Sequence, residues 1–234
     1  MKILTVDFET HYTSKDLGFK TQTTEEYVRD PRFEVIGVAV QEDGGEPQWF
    51  SGNYLDTYNF LKQFDWANSM AVAHNAMFDM AILSWHYNIK PKAIADTISM
   101  ARAIHGTEVG GSLDKLTKHY ELGQKGDDTK WAIDLRREDF TPQQLAQYGA
   151  YCRNDVALTY RLFVVLFNEF MASSTKTTEL KLIDTTIRMF TEPVLRLDPV
   201  LLDKHLVDVR DKKAKLLEAA DVTLEDLMSN QKFA

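Results

Sequence analysis

The sequence is short of cysteine, of positive charge and of long apolar runs, and each shortage closes off a class of protein. A single cysteine, Cys152, in 234 residues cannot form an internal disulfide, which excludes the small secreted scaffolds that replace a core by cross-links and fits a reducing compartment. Lys and Arg total 27 against 35 Asp and Glu, a formal charge of −8. A surface that wraps duplex DNA needs the opposite balance, so any nucleic acid has to be gripped locally. The longest uninterrupted apolar run, Leu162 to Phe167, falls far short of the ~20 residues that cross a bilayer. The apolar start of the chain meets Asp7 too early for a signal peptide. The chain is expected to be soluble and cytoplasmic, with no membrane partner.

What is present is ordinary globular composition, 44% hydrophobic and 26% charged, enough for one good-sized core plus an appendage. Residues 2–8 predict a strand, and Phe33–Gln41 and Pro47–Ser51 predict two more joined by Asp43-Gly44-Gly45, a three-strand meander. The polar stretch Thr10–Pro31 is too long for a hairpin loop and is expected to be a functional loop covering something. Helical spacing over Tyr54–Trp66 and Phe78–Tyr87 then alternates with short apolar strands at Met70–His74 and Ala93–Asp96, which implies parallel pairing. A helix over Ser112–Tyr120, a mobile Gly/Asp/Lys loop over Gly123–Thr129 and a long helix from Thr141-Pro142 to about Phe170 follow. The expected fold is α/β, a mixed central sheet flanked by helices.

The small polar run from Ala172 to Thr178 reads as a linker, which divides the chain into a domain at 1–172, a linker at 173–178 and a helical extension at 179–234. In the extension Leu180, Ile183, Ile187, Phe190 and Val194 recur at helical spacing and Asp198-Pro199 opens another helix. Ser229–Ala234 reads as the beginning of a further helix, as in a fragment or a split-gene product.

Three short patterns carry chemistry. In Asp7-Phe8-Glu9 the strand period puts both carboxylates on one face, where they form either a solvated edge or a cation site. In His74-Asn75-Ala76-Met77-Phe78-Asp79 a strand runs into a helix; Asn75 and Asp79 share a face, and alone they read as an N-cap and a first-turn carboxylate. In Tyr151-Cys152-Arg153-Asn154-Asp155 a spacing of four sets a phenol beside a carboxylate, a pairing that ordinary amphipathic helices also produce. His74, His86 and His119 share no short spacing and read as packing or surface residues, and Cys152 as a small buried one. Lys118, Lys125, Lys130, Arg136 and Arg137 flank the Gly-rich loop and are the best candidates to meet strand phosphates; Phe8, Phe78 and Trp131 could stack on bases if exposed.

Taken in order, these patterns resemble the 3′→5′ exonuclease domain of the DEDD (DnaQ-like) superfamily on an RNase H-like fold. Asp7 and Glu9 match its first motif, Asp79 its second and Asp155 its third, over roughly residues 1–170. Tyr151 matches the tyrosine subclass, since the histidine subclass would need His where Ala150 stands. The rhythm of Asp7-Phe8-Glu9-Thr10, Asp16-Leu17-Gly18, Tyr27 and Val35 is most similar to the proofreading domain of phage-type family A (DNA polymerase I-like) polymerases. Leu197-Asp198-Pro199 and its surroundings resemble the connection into a polymerase thumb, although no polymerase motif is present.

The resemblance implies a hydrolase with two divalent cations, Mg²⁺ or Mn²⁺, held by Asp7, Glu9, Asp79 and Asp155, with Tyr151 orienting the attacking water and Thr10 and Asn75 touching the terminal nucleotides. Hard oxygen donors suit those ions, and the sequence has no Cys/His cluster for zinc. The implied substrate is a single-stranded DNA 3′ end and the implied partner a polymerase domain, in the same or a separate chain. Two alternatives share the fold: an exoribonuclease, and a non-catalytic scaffold, which would have no reason to keep four mutually repelling carboxylates.

Overall fold

The computed structural model of the chain describes residues 1–126, 129–172 and 176–228. Five strands form one mixed sheet: β1 (Ile3–Thr10), β2 (Val35–Glu42), β3 (Gln48–Phe50), β4 (Met70–Ala73) and β5 (Ala93–Asp96), in the order β3-β2-β1-β4-β5. The first three make the expected antiparallel meander, and β4 and β5 add in parallel on the other side of β1. Strand β1 is thus central. Its pairing with β2 runs to Thr10 and carries a bulge between Glu9 and Thr10, whereas its pairing with β4 stops at Thr5. Beyond Thr5 one side of β1 has no strand neighbour, and bulges of this kind re-aim side chains. Asp7 and Glu9 lie in that stretch.

The helices of the α/β layers are α1 (Thr24–Arg29), α2 (Tyr54–Leu61), α3 (Ala76–Ala81), α4 (Thr97–His105), α5 (Leu113–His119), α6 (Pro142–Met171) and α7 (Lys176–Thr191). Thr141 caps α6 through a capping box with Gln144, and Pro142 opens it, as the sequence predicts. One stripe of α6, from Tyr148 through Cys152, Asp155 and Thr159 to Phe163 and Phe170, is buried. The helix lies close because Gly149 has no side chain: a Cβ there would overlap the Trp49 indole of β3.

Two expectations need correction. Residues 10–31 are not one loop, because Thr23 and Glu26 form a capping box that starts α1 and bury Tyr27 and Val28 beneath it. The extension does not begin at 179. Helix α7 buries Ile183 and Ile187 in the main core, and its Asp184 accepts the Ile94 amide of edge strand β5 at 2.8 Å. Arg188 donates to the Pro91 and Lys92 carbonyls, and Ser84 and Trp85 donate to the Thr191 carbonyl. The chain divides into compact units at 1–193 and 194–234, so α7 belongs to the first. The polar run misled because an edge strand needs covering, and only the three-dimensional position of β5 says by what. Of the expected linker, 173–175 lie outside the described residues, as do 127–128 of the Gly-rich loop and 229–234.

The second unit, taken by itself, contains α8 (Pro199–Ala219), capped by Asp198, and α9 (Leu224–Met228). Leu201, Leu202, Leu206, Val209 and Leu216 are exposed along α8. Among the described residues no helix is long and apolar enough to cross a membrane.

Candidate active site

Asp7 and Glu9 project from the free stretch of β1 on one face, and α6 brings its buried stripe against them. The Cys152 thiol lies 3.4 Å from Asp7 Oδ2, and carboxylate oxygens of Asp7 and Glu9 and the Cys152 sulfur all lie within 4.8 Å of one another. Three residues further along the same face comes Asp155. From the other side α3 delivers Asp79, whose Oδ1 accepts the Phe8 amide at 3.1 Å. That amide lies in the part of β1 that β4 does not reach.

Crowding of acids shows in their protonation. Burial, then repulsion from Asp155, pushes Asp7 up to about 7; burial, then Asp7, pushes Glu9 up to about 8. Asp79 is raised by burial and by Asp7, and Asp155 by burial against the pull of Lys125. Lys125 Nζ sits 2.9 Å from Asp155 Oδ2 and 5.3 Å over the Tyr151 ring. Tyr151, one helical turn before Asp155, also works against the upward push of burial on that carboxyl.

These residues fit divalent cations on two observations. The donors are oxygens of four carboxylates, which no protein cation balances in full. Asp155 Oδ1 is buried and has no hydrogen-bond partner among the described residues, while its other oxygen already holds an ammonium. A lone buried acceptor of this kind is costly unless something binds it. Asp7, Glu9 and Asp155 could hold such ions, with Asp79 close enough to Asp7 for their charges to repel.

The candidate substrate residues separate. Thr10 lines a cavity of about 440 Å³ beside Glu9, whose walls include Phe19, Tyr27 and Phe78. Its hydroxyl pairs with the Tyr27 hydroxyl at 2.7 Å, and Tyr27 donates onward to the His11 carbonyl. Asn75 instead sits exposed at a different hollow, with Asp96 and Arg102. It adopts a left-handed conformation (φ 71°) and its side chain makes no capping bond, so the N-cap explanation fails. Asp96 Oδ1 accepts the Asn75 and Ala76 amides at 2.9 and 3.1 Å in its place. Phe8 is buried and cannot stack on a base, and Trp131 packs on Phe140 and Tyr148. The basic cluster is largely paired, Lys118 with Asp114 and Arg136 with Glu34.

The three histidines are structural, as expected: His74 bonds Thr97 and the Gly111 carbonyl, His86 the Val28 carbonyl, and His119 packs on His105 and Tyr120. Sequence reasoning passed over Tyr148, a buried phenol close enough to Glu9 to oppose the rise in its pKa. Its spacing of seven from Asp155 puts it two turns away on the same helix face, which was the available signal.

The mixed five-stranded sheet with helices packed on it is an α/β architecture of the RNase H-like fold. Residues 3–170 match the 3′-5′ exonuclease family, and the chain belongs to it. The family is divalent-metal dependent. No curated protein sequence matches. Among solved structures, NrnC of Brucella melitensis is similar at 16% identity and TM-score 0.55, covering 81% of each chain. RNase D of Trypanosoma brucei is similar at 16% identity and TM-score 0.58, covering 83% of this chain and 68% of that one.

Proposed function

We propose that this exonuclease removes nucleoside monophosphates from single-stranded DNA 3′ ends, using Asp7, Glu9, Asp79 and Asp155 to hold two divalent cations, Mg²⁺ or Mn²⁺. The observation that supports it is the convergence of four raised carboxylates on the free stretch of β1, with an unpartnered oxygen on Asp155. Such ions supply Lewis acidity at the scissile phosphate and make hydroxide available at neutral pH. The chain's own residues do the rest. Tyr151, beside Asp155, orients the attacking water. The aromatic cavity next to Glu9 receives the terminal nucleotide, with Thr10 on its wall, and Asn75, at the separate hollow beside Asp96, contacts the strand from the α3 side.

In this reading the chain is the proofreading module of a family A polymerase, acting in the cytoplasm. The exposed apolar face of α8 is the feature that favours a polymerase domain as partner, in the same or a separate chain. The solved structures favour a second reading, an exoribonuclease: NrnC is known with bound pGG and RNase D with the RNA U12. Incubation with 5′-labelled single-stranded DNA and RNA, with Mg²⁺, Mn²⁺ or EDTA, separates the two. A ladder on DNA that EDTA abolishes supports the first reading; a ladder on RNA alone supports the second; no metal-dependent ladder on either refutes both.

A further inference from the structure

Lys125 is the cation that the protein itself puts into its acidic site. Its ammonium lies 2.9 Å from Asp155 Oδ2, and the loop that carries it is seated rather than incidental. Asn154, next to Asp155 on α6, donates to the Gln124 carbonyl at 3.2 Å. On the other side of Lys125, Gly126 lies so close to the Tyr151 ring that a Cβ there would come within 3.2 Å of Tyr151 Cδ2. The ammonium itself lies 5.3 Å over that ring, a cation–π distance. Two residues of the site, Tyr151 and Asp155, therefore hold Lys125, and its neighbours on either side are pinned to the same helix.

A divalent ion bound through the free Asp155 Oδ1 would share one carboxylate with the ammonium on Oδ2. Like charges at that distance repel, so such an ion would push Lys125 away from Asp155. The pinned loop nevertheless keeps the displaced ammonium beside Tyr151. An unpaired lysine held there has one chemically matched partner among the reactants, the phosphate of the strand. In a chain of charge −8, where two of the other candidate basic residues, Lys118 and Arg136, are already paired with Asp114 and Glu34, such a local charge is what a polyanionic substrate requires.

We infer that Lys125 is a resident counter-cation that holds the place of the metal on Asp155 and, once displaced, contacts the phosphate of the 3′-terminal nucleotides. This rests on the nuclease reading proposed above. It gives two effects of opposite sign, which a purely structural lysine would not produce: the lysine weakens metal binding in the absence of substrate and strengthens catalysis in its presence.

The test compares the full chain with Lys125→Met, which keeps the alkyl packing on Tyr151, and Lys125→Arg, which restores the charge. Mn²⁺ affinity is measured calorimetrically on EDTA-treated protein without nucleic acid, and kcat and KM on a labelled single-stranded oligonucleotide. For Lys125→Met the expected result is Mn²⁺ binding about five-fold tighter, with KM for the strand raised and kcat/KM lowered about ten-fold; Lys125→Arg should recover most of both. Unchanged or weaker Mn²⁺ binding in Lys125→Met overturns the inference, as does tighter binding with unaltered strand kinetics. A wild-type chain that neither binds Mn²⁺ nor cuts any strand overturns the nuclease reading and this inference with it, whereas an active wild type with an indifferent Lys125→Met overturns the inference alone.

Discussion

The Phe8 amide donates to Asp79 Oδ1 across 3.1 Å, so the helix acid is tied to the very strand whose Asp7 and Glu9 flank Phe8. One hydrogen bond thereby fixes the spacing between two elements that are far apart in sequence. It also satisfies a buried amide that the β1–β4 ladder leaves unpaired.

Replacement of Asp7 or Asp155 by Ala should abolish cleavage without unfolding the protein. In the metal-free state the Asp7→Ala variant should melt no lower than wild type, because removing one member of a like-charge cluster relieves repulsion. Nuclease assays and thermal melts in EDTA check this; near-normal cleavage by either variant would remove that residue from the site.

The metal-free protein should lose stability as pH rises from about 4 to about 8. Asp7 and Glu9 have folded-state values near 7 and 8, above their ordinary ones, so in that window the folded state binds more protons than the unfolded chain. Stability then falls with pH. Cation binding needs the deprotonated acids, so the gain in melting temperature from millimolar Mn²⁺ should grow over the same range. Melts at pH 5 and 8 with EDTA or Mn²⁺ decide it, and a metal-induced gain that shrinks with pH would contradict the assignment.

Tyr151→Phe should slow turnover by roughly 10- to 1000-fold, the cost of a positioned group, while metal binding persists. An unchanged kcat would make Tyr151 a packing residue only.

Asp96→Ala should cost both stability and activity, because one carboxylate accepts the Asn75 and Ala76 amides and also caps α4 through Ile98 and Ser99. The loss of such a cap is worth about 1 kcal/mol per helix. Asp96→Asn, which keeps an acceptor, should recover much of the activity. If Asp96→Ala lowers the melting temperature but leaves Mn²⁺ affinity and kcat untouched, its hold on the Asn75 and Ala76 amides at the start of α3, the helix that carries Asp79, serves stability alone.

Truncation separates the two units differently from the sequence expectation. A chain ending at Pro193 should fold and keep intrinsic nuclease activity, since the first unit is then complete. A chain ending at residue 172 should be strongly destabilised, because it loses Ile183, Ile187 and the Asp184 contact that covers the edge of β5. Circular dichroism melts of both would show it, and a stable 1–172 fragment would restore the earlier boundary.

The sequence by itself determined the order of the five strands and the elements that carry the acids, because side-chain period and capping are local properties. Asp7 and Glu9 share a strand face by alternation, and Tyr151 meets Asp155 by helical spacing. Helix α4 escaped notice, since its apolar residues are few and its cap, Asp96, looked like the end of a strand. Only the tertiary structure decided that Asp79 reaches β1, that Lys125 pairs with Asp155, that Asp96 rather than Asn75 caps α3, and that α7 belongs to the nuclease unit. Each of these joins residues distant along the chain, or an edge strand to its cover. Such pairings depend on which buried groups would otherwise be left without a partner, a quantity that exists only once the chain is folded.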